Sequence, residues 1–389
     1  MRRVILIVMD GCGVGAMPDA AGYGESDPAS ATVPHVSMAV GGLKMPTLEK
    51  IGFGCVAPIL GLAATNATGA WGRSAIASTG KDSLTGHWEM MGIITEKAYP
   101  TYPDGFPHEV IADFERVTGC KALGNVAASG TEIIRRLGDE HVRTGNPIVY
   151  TSVDSVFQIA AHESVIPVDE LYALSRKVRD ILVSPHNVQR VIARPFTGDG
   201  PGTYKRTQHR RDFPLTPPPH NLLRFLKLAG VGVHGIGVVV DLFPEDLFTR
   251  TERTQSNAAS LSAIADAVQS GEEPFVFANC EDFDMLYGHR NDTEGFARAL
   301  TEFDAALAGI VASLREDDLL IITADHGNDP TLPGTDHTRE YVPVLATGTS
   351  VRRNAGFLGR SALADVAATV GQWLEVDWKG VGRPLEIFA

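Results

Sequence analysis

Seven residues in four separate segments have the chemistry of a phosphoryl-transfer site with two metal ions. Three are carboxylates, three are imidazoles and one is a hydroxyl: Asp10, Asp284, Asp325, His289, His326, His337 and Thr85. Carboxylate oxygens and imidazole nitrogens are ligands of manganese and zinc, and such cations activate a nearby hydroxyl as a nucleophile. The set therefore predicts a metal-dependent enzyme of phosphoryl transfer.

Taken one at a time, these residues also have ordinary structural interpretations. Asp10-Gly11 alone is more typical of a turn than of a metal site. The polar stretch at Asp325 is as typical of a surface turn as of a metal site. Thr85 could cap a helix running through Met91. That interpretation is compatible with catalysis, because a phosphothreonine at a helix N-terminus would have free backbone N–H groups for its oxygens. Only the joint occurrence of all seven residues favours a site.

The elements that must position these residues are short apolar strands. Nearly continuous apolar runs predict buried parallel strands at Val4–Met9, Pro274–Ala278, Leu319–Thr323 and Val342–Ala346. Every candidate ligand lies at or near the end of one of them. In open α/β sheets the ligand crevice forms where the carboxyl ends of strands converge. We therefore expect the ligands to meet at one edge of the sheet.

Two proline-rich stretches divide the chain. Apolar residues recur every three or four positions from Phe296 to Leu314 and predict a helix, so strands and helices alternate in the core. Proline breaks both kinds of element, which makes Tyr99–Pro107 and Pro214–His220 natural domain exits. The sequence predicts a metal-binding catalytic core domain over 1–98 and 218–389. The inserted cap domain over 99–217 has strand signals at Ile148–Thr151 and Val191–Ala193.

Composition excludes several classes of partner. The chain has 389 residues, 44% of them hydrophobic, and a net charge of −13 without basic runs, so we expect no nucleic acid partner. No apolar run approaches the length of a membrane span. The start, MRRVILIVMD, has a short apolar run without a cleavage site and predicts a strand rather than a signal peptide. The four cysteines form no C-x-x-C, as expected in a reducing cytosol. A cytoplasmic location is the expectation.

Longer motifs match one family. They are GKDSLTGHWEMMG, YPTYPDGFP, DSVFQIAAHE, VIARPF, FDMLYGHR and DHGNDPTLPGTDHTREYVPVL. On these motifs the chain resembles the bacterial phosphopentomutases of the alkaline phosphatase superfamily, from Val4 to about Ala346. The resemblance implies an α/β fold, with an alkaline-phosphatase-like three-layer α/β/α core and an inserted α+β cap domain that contributes substrate contacts.

The resemblance also implies a reaction and residue roles. The family interconverts ribose or deoxyribose 1-phosphate and 5-phosphate through a phosphothreonine, here Thr85, and a 1,5-bisphosphate that can serve as activator. Two Mn²⁺ ions are implied, one held by Asp284, His289 and His337, the other by Asp10, Asp325 and His326, with Thr85 directed toward both. The implied substrate contacts are Ser152, Asp154, Arg194 and Arg210. The arginines also make sense independently, because a planar guanidinium binds phosphate through two hydrogen bonds.

Three positions depart from the family pattern. Val238 replaces a lysine that helps bind substrate phosphate, His209 replaces an asparagine, and Cys12 follows Asp10-Gly11 where aspartate–serine is usual. Two other interpretations stay open: a metal-dependent phosphatase or phosphodiesterase, and a mutase for another sugar phosphate. A non-catalytic metal-stabilised binding protein fits poorly, because Thr85 stands beside a complete ligand set. Oligomeric state, the resting phosphorylation of Thr85 and sugar preference are left open.

Overall fold

The computed structural model describes residues 1–64, 66–152, 155–358 and 361–388. Its strands are β1 (Arg3–Met9), β2 (Ala70–Ala75), β3 (Leu123–Ala127), β4 (Ile148–Thr151), β5 (Val156–His162), β6 (Arg190–Thr197), β7 (Lys205–Arg206), β8 (Arg211–Pro214), β9 (Val233–Ile236), β10 (Arg250–Glu252), β11 (Phe275–Cys280), β12 (Asp318–Thr323), β13 (Val342–Thr347), β14 (Ala355–Gly356) and β15 (Ser361–Ala362).

The α-helices are α1 (Thr32–Ala39), α2 (Pro46–Ile51), α3 (Ser83–Met90), α4 (His108–Thr118), α5 (Gly130–Thr144), α6 (Val168–Ile181), α7 (Leu222–Leu228), α8 (Val239–Leu242), α9 (Asn257–Ser270), α10 (Thr293–Ala312) and α11 (Asp365–Trp373). In the described part of the chain, no helix has the length and apolar character needed to cross a bilayer.

The chain divides into two compact units. One, the core unit, combines Met1–Lys97 with Pro217–Ala389, and the other, the inserted unit, is Ala98–Thr216. The core unit is built on one sheet in the order β10-β9-β11-β1-β12-β13-β2-β14, with β15 also paired to β2. Strands β10, β9, β11, β1 and β12 run parallel to one another. Their carboxyl ends therefore lie at one edge.

The central strands of this sheet are buried along their whole length. All residues of β1, β11 and β12 are buried, which explains why their sequences are continuous apolar runs. Helices pack on the sheet in two groups, one of α1, α2, α9 and α10 and the other of α3, α7, α8 and α11. The expected three-layer α/β/α core is confirmed.

One predicted strand runs in the opposite direction. Val342–Ala346 was expected to be parallel, but β13 pairs antiparallel with both β12 and β2. A parallel return needs a crossover, usually a helix, whereas the segment between β12 and β13 contains no α-helix. That segment instead carries Asp325, His326 and His337. The connection between β12 and β13 is therefore a loop that carries three candidate metal ligands instead of a crossover helix.

The inserted unit has its own mixed sheet and two apolar clusters. The strand order is β3-β4-β5-β6-β7, with β8 paired to β6. Helices α4 and α6 contribute Phe114 and Leu171 to one cluster, and α5 contributes Ile133 and Ile134 to the other. Parallel and antiparallel pairs alternate across the sheet. This mixture of helices and a mixed sheet is the expected α+β arrangement.

Candidate metal centre and nucleophile

The candidate ligands follow three adjacent parallel strands of the core sheet. Asp10 comes directly after β1, and Asp325 and His326 follow β12. Asp284 lies beyond β11 in a π-helical turn, Phe283–Tyr287, and His289 lies in the short 3-10 turn that follows it. Because β11, β1 and β12 are neighbours, their ends bring these side chains to one place.

Asp10, Asp325 and His326 form the first acceptor group. His326 Nε2 lies 3.4 Å from Asp10 Oδ1 and 3.3 Å from Asp325 Oδ2. All three side chains are buried, and their ligand atoms lie within 4.8 Å of one another. The backbone N–H of Gly11 donates to the other oxygen of Asp325 at 3.1 Å.

Asp284, His289 and His337 form the second acceptor group. Asp284 Oδ2 lies 3.1 Å from His289 Nε2, and Asp284 Oδ1 lies 3.3 Å from His337 Nε2. The two imidazole Nε2 atoms are 3.1 Å apart. His326 links the groups, because its ligand atom also lies within 4.8 Å of those of Asp284 and His337.

The hydrogen bonds around both groups fit divalent cations. His289 Nδ1 lies 2.6 Å from the carbonyl oxygen of Thr335, and His326 Nδ1 lies 3.1 Å from that of Gly327. A carbonyl only accepts, so each Nδ1 carries a proton, and Nε2 is the ring nitrogen that is directed into the site. Within the described part of the chain, Asp10 Oδ1 and Asp325 Oδ2 are buried without a hydrogen-bond partner. Facing acceptors of this kind are stabilised by a cation.

The pKa values of the carboxyl groups show the same crowding. Burial, together with Asp325 and Asp284, raises the pKa of Asp10 well above its usual range. Burial alone would also raise the pKa of Asp284, but His337 and His289 hold it well below the usual range. Burial lowers the pKa of His326, which favours the neutral imidazole that binds metals.

Thr85 lies in the first turn of α3, which packs against this centre. A Cβ at the next residue, Gly86, would lie 2.3 Å from the backbone oxygen of Asp325, so glycine allows α3 to approach the ligand directly. Ser83 in the same turn places Oγ 3.2 Å from His326 Nε2. The predicted helix is present but ends at Met90 rather than Met91, and its N-cap is Asp82 rather than Thr85. The backbone N–H of Thr85 is not free, because it donates to Asp82 Oδ1 at 3.1 Å.

Several residues that support the site were not predicted. Asn279 donates to Asp10 Oδ2 at 2.7 Å, and Asn328 donates to Asp284 Oδ1 at 2.6 Å. His87 Nδ1 lies 3.3 Å from Asp325 Oδ2. The sequence positions of the two asparagines could have indicated this role, because Asn279 is a polar residue inside an apolar strand and Asn328 lies three residues after Asp325. His87 has no comparable signal, since an imidazole in a helix is commonly a packing residue.

The predicted substrate contacts lie in the inserted unit. Arg194 on β6 donates from Nε to Gln158 at 3.1 Å, and burial together with Arg210 lowers its pKa to about 10. Arg210 forms two hydrogen bonds with Asp212, at 2.8 and 2.9 Å. Ser152 follows β4, and Asp154 lies outside the described residues. Arg194 and Arg210 are close enough to repel each other, which suits a site for an anion.

The three departures from the family pattern have different surroundings. Cys12 is fully buried, and burial together with the charge of Asp10 raises its thiol pKa well above the usual range. His209 is exposed and pairs with Glu163 at 2.9 Å. Val238 precedes α8, two residues after β9 ends, and its side chain is half-buried. Val238 is therefore at the same edge of the core sheet as the ligands.

Comparison with known proteins places the chain in a family. A model of the metalloenzyme superfamily matches residues 2–377. The chain is 51% identical to the phosphopentomutase of Caldanaerobacter subterraneus subsp. tengcongensis, over 97% of this chain and 95% of that protein. It is 50% identical to the phosphopentomutase of Symbiobacterium thermophilum, over 98% and 97%. A solved phosphoglycerate mutase of Leishmania mexicana is 15% identical, with a TM-score of 0.48 and 97% coverage of both chains.

The layered α/β core and its buried carboxylate–imidazole groups define a metal-dependent enzyme, in agreement with the superfamily model. Sequence identity of about 50% over nearly the full length of both proteins defines a narrower family than the superfamily model does. The chain belongs to the phosphopentomutase family, and its enzyme class is that of the isomerases that transfer a phosphoryl group within a molecule.

Proposed function

We propose that the enzyme interconverts the 1-phosphate and the 5-phosphate of ribose or deoxyribose, with Thr85 as the carrier of the phosphoryl group. The observation that carries this proposal is the approach of α3, through Gly86, to the acceptor group that contains Asp325. A hydroxyl in the first turn of that helix is well placed to exchange a phosphoryl group beside bound cations. The family membership supplies the substrate class.

We assign the two acceptor groups to two divalent cations of the manganese type. Asp284, His289 and His337 would hold one, and Asp10, Asp325 and His326 the other. When bound, such cations neutralise the charge of a transferring phosphoryl group and stabilise the attacking and leaving oxygens. The protein holds the ligands ready for them through second hydrogen bonds, such as those that Asn279 and Asn328 donate.

In the proposed cycle Thr85 begins as a phosphothreonine. The free hydroxyl of the sugar monophosphate attacks the phosphorus atom, the bond from phosphorus to Thr85 Oγ1 breaks, and the proton of the sugar hydroxyl ends on Oγ1. The sugar is then a 1,5-bisphosphate. The reverse transfer of its other phosphoryl group restores the phosphothreonine and releases the isomeric monophosphate. A sugar bisphosphate supplied from outside would load an unphosphorylated enzyme in the same way.

The inserted unit is proposed to bind the phosphate that does not react. Arg194 and Arg210 offer planar donors for it, and Ser152 and Asp154 are proposed to contact the sugar. A phosphatase does not need to bind a second phosphate, so these arginines support a mutase over a hydrolase. Binding that excludes water would also protect the phosphothreonine from hydrolysis.

Phosphorus NMR tests the proposal directly. The enzyme is incubated with Mn²⁺ and ribose 1-phosphate, and the phosphorus resonances are followed with time. We expect the resonance of ribose 1-phosphate to be replaced by that of ribose 5-phosphate, with no conversion by Thr85→Ala. Accumulation of inorganic phosphate instead would identify a hydrolase. Failure to convert any pentose phosphate, together with conversion of a hexose phosphate, would identify a mutase for another sugar.

A further inference from the structure

We propose that Asp82 is a catalytic residue that accepts a hydrogen bond from the Thr85 hydroxyl only while the threonine is unphosphorylated, and that it thereby favours transfer of the phosphoryl group away from the enzyme. The inference rests on the proposed role of Thr85 as the phosphoryl carrier. It concerns a different quantity, the stability of the phosphothreonine relative to the free threonine.

Asp82 uses both carboxylate oxygens on Thr85. Its Oδ2 accepts a hydrogen bond from the Thr85 hydroxyl at 2.8 Å, and its Oδ1 accepts one from the Thr85 backbone N–H at 3.1 Å. The second bond is an ordinary helix cap. The first is a bond to the atom that the phosphoryl group would occupy. Asp82 therefore touches a reacting atom as well as a helix terminus.

The other capped helices show that the hydroxyl contact is an addition to the cap. Asp292 accepts the backbone N–H of Gly295 at the start of α10, Asn221 accepts that of Arg224 in α7, and Ser256 accepts that of Ala259 in α9. The residues that correspond to Thr85 are thus glycine, arginine and alanine. Asp292 is the closest match, because it is also an aspartate and its partner has no side chain to bind.

The backbone before α3 is shaped around the Asp82–Thr85 pair. A Cβ at Gly80 would lie 2.6 Å from Thr85 Oγ1 and 3.0 Å from Asp82 Oδ2, so any side chain there would displace one of them. Arg339 also holds the backbone of this segment, because its Nη1 donates to the Gly80 carbonyl at 2.7 Å and to the Ser78 carbonyl at 2.8 Å. The pair is held by its surroundings and is not an incidental surface contact.

Phosphorylation turns this attractive interaction between Asp82 and Thr85 into a repulsive one. When a bisphosphate loads the enzyme, a bond forms between Thr85 Oγ1 and phosphorus, the bond from phosphorus to the sugar oxygen breaks, and the hydroxyl proton ends on that sugar oxygen. Oγ1 then has no proton to donate to Asp82. The carboxylate also faces a phosphoryl group with nearly two negative charges. A hydrogen bond is replaced by repulsion between anions.

This change suits an enzyme that must give up its phosphoryl group in every turnover. Cations and a helix N-terminus both stabilise a phosphothreonine, and a phosphoenzyme that is too stable would accumulate without transferring. Loss of a hydrogen bond to a charged group changes an equilibrium constant by about 10-fold to 100-fold. Asp82 would shift the balance between phosphothreonine and free threonine toward the free form by a factor of this size.

The test compares Asp82→Asn and Asp82→Ser with wild type and with Asp292→Asn. Asparagine and serine both remain helix caps but carry no charge, so folding is preserved by two independent routes. Asp292→Asn is the matched control, an N-cap whose partner, Gly295, has no hydroxyl. Each protein is equilibrated with Mn²⁺ and a fixed ratio of ribose 1,5-bisphosphate to ribose 5-phosphate, and intact-mass spectrometry gives the ratio of phosphorylated to unphosphorylated enzyme.

We expect this ratio to rise about 10-fold or more in both Asp82 variants, and to stay within about twofold of wild type in Asp292→Asn. The turnover number should fall in the Asp82 variants, because transfer from Thr85 to the sugar becomes unfavourable. A ratio in Asp82→Asn and Asp82→Ser that matches wild type overturns the inference and leaves Asp82 as a helix cap, while the proposed function stands. A wild-type enzyme that never gains a phosphoryl group refutes both.

Discussion

Asn328 donates a 2.6 Å hydrogen bond from its side-chain Nδ2 to Oδ1 of Asp284, the same oxygen that lies 3.3 Å from His337 Nε2. The amide thereby helps to fix the orientation of a carboxylate that faces two imidazoles. Gly288 and Gly11 both approach Asn328 closely, and a Cβ on Gly288 would lie 2.5 Å from its amide. The position of Asn328 is therefore set by backbone on two sides.

This relationship predicts that Asn328→Ala weakens Mn²⁺ binding while the protein stays folded. Outer partners of metal ligands are typically worth about 10-fold to 100-fold in affinity. The measurement is a Mn²⁺ titration followed by electron paramagnetic resonance of the free ion. Asn279→Ala is the matched comparison, since Asn279 supports Asp10 in the other group. Unchanged stoichiometry and affinity in Asn328→Ala would show that Asp284 needs no orienting bond.

Thr85→Ala should abolish mutase turnover without unfolding the protein or removing metal. The hydroxyl is the proposed phosphoryl carrier, and its deletion removes no carboxylate or imidazole. After treatment with a sugar bisphosphate, intact-mass analysis should show one phosphoryl increment on wild type and none on the variant. Thr79→Ala is the control, because Thr79 lies in the same segment and its hydroxyl binds only the Thr95 carbonyl in the described structure. Substantial turnover by Thr85→Ala would assign the carrier to another residue.

Asp325→Asn and His337→Ala should each reduce the rate by orders of magnitude, because each opens one acceptor group. Asp336→Asn is the comparison, since Asp336 accepts the backbone N–H of His337 at 2.9 Å and pairs with Lys81 at 2.9 Å but belongs to neither acceptor group. Chelation with EDTA should inactivate the wild-type enzyme, and added Mn²⁺ should restore it. Activity that survives exhaustive chelation would be incompatible with two required cations.

Val238→Lys should lower KM for ribose 5-phosphate and change kcat little. The family resemblance implies that Val238 replaces a phosphate-binding lysine, and Val238 lies just beyond the carboxyl end of β9 with its side chain half-buried. A charge-assisted contact is typically worth about one to two decades in affinity. An interaction equal in ground and transition states changes KM alone. An unchanged KM, or a variant that unfolds, would mean that Val238 serves packing. Loss of a wild-type preference for another sugar phosphate would mean that it sets specificity.

The burial of His234 should make the protein less stable as the pH falls. Its side chain is buried in β9 with neither ring nitrogen hydrogen-bonded in the described structure, and burial together with Arg250 lowers its pKa to about 4. Unfolded histidine takes up a proton below about 6.5. Between these values the unfolded state binds more protons, so the free energy of unfolding falls as pH falls, by up to about 3 kcal/mol from this residue. Urea denaturation from pH 7 to 4 should show a weaker pH dependence in His234→Leu than in wild type.

The sequence predicts the buried strands well because their whole length is apolar. The runs at Val4–Met9 and Leu319–Thr323 correspond to β1 and β12 within one residue. The direction of β13 was wrong, since an apolar run has the same composition in parallel and antiparallel pairs. Direction depends on the preceding connection, and this one carries ligands in place of a helix.

The sequence identifies the residues of the candidate site but not the hydrogen bonds and contacts between them. Asp10 and Asp325 are recognisable because each follows a strand, and strand ends converge. The alternative interpretation of Thr85 as the cap of α3 is wrong, because Asp82 is the cap; both residue types are good cap formers, and sequence does not rank them. The contact of His87 with Asp325 depends on the rotation of α3 about its axis, and a short helix with a mixed pattern leaves that rotation undetermined.

The order of strands in the core sheet has a consequence for biosynthesis. Strand β1 lies between β11 and β12, which are translated long after it, whereas the inserted unit is one continuous segment, Ala98–Thr216. Ribosomes add about 5–20 residues per second, so Asp10 waits on the order of tens of seconds for Asp284 and Asp325. The inserted unit therefore has all of its own strands while the nascent core still lacks the partners of β1. During that interval the first strand is an exposed apolar segment, and the metal centre is among the last features of the protein to form.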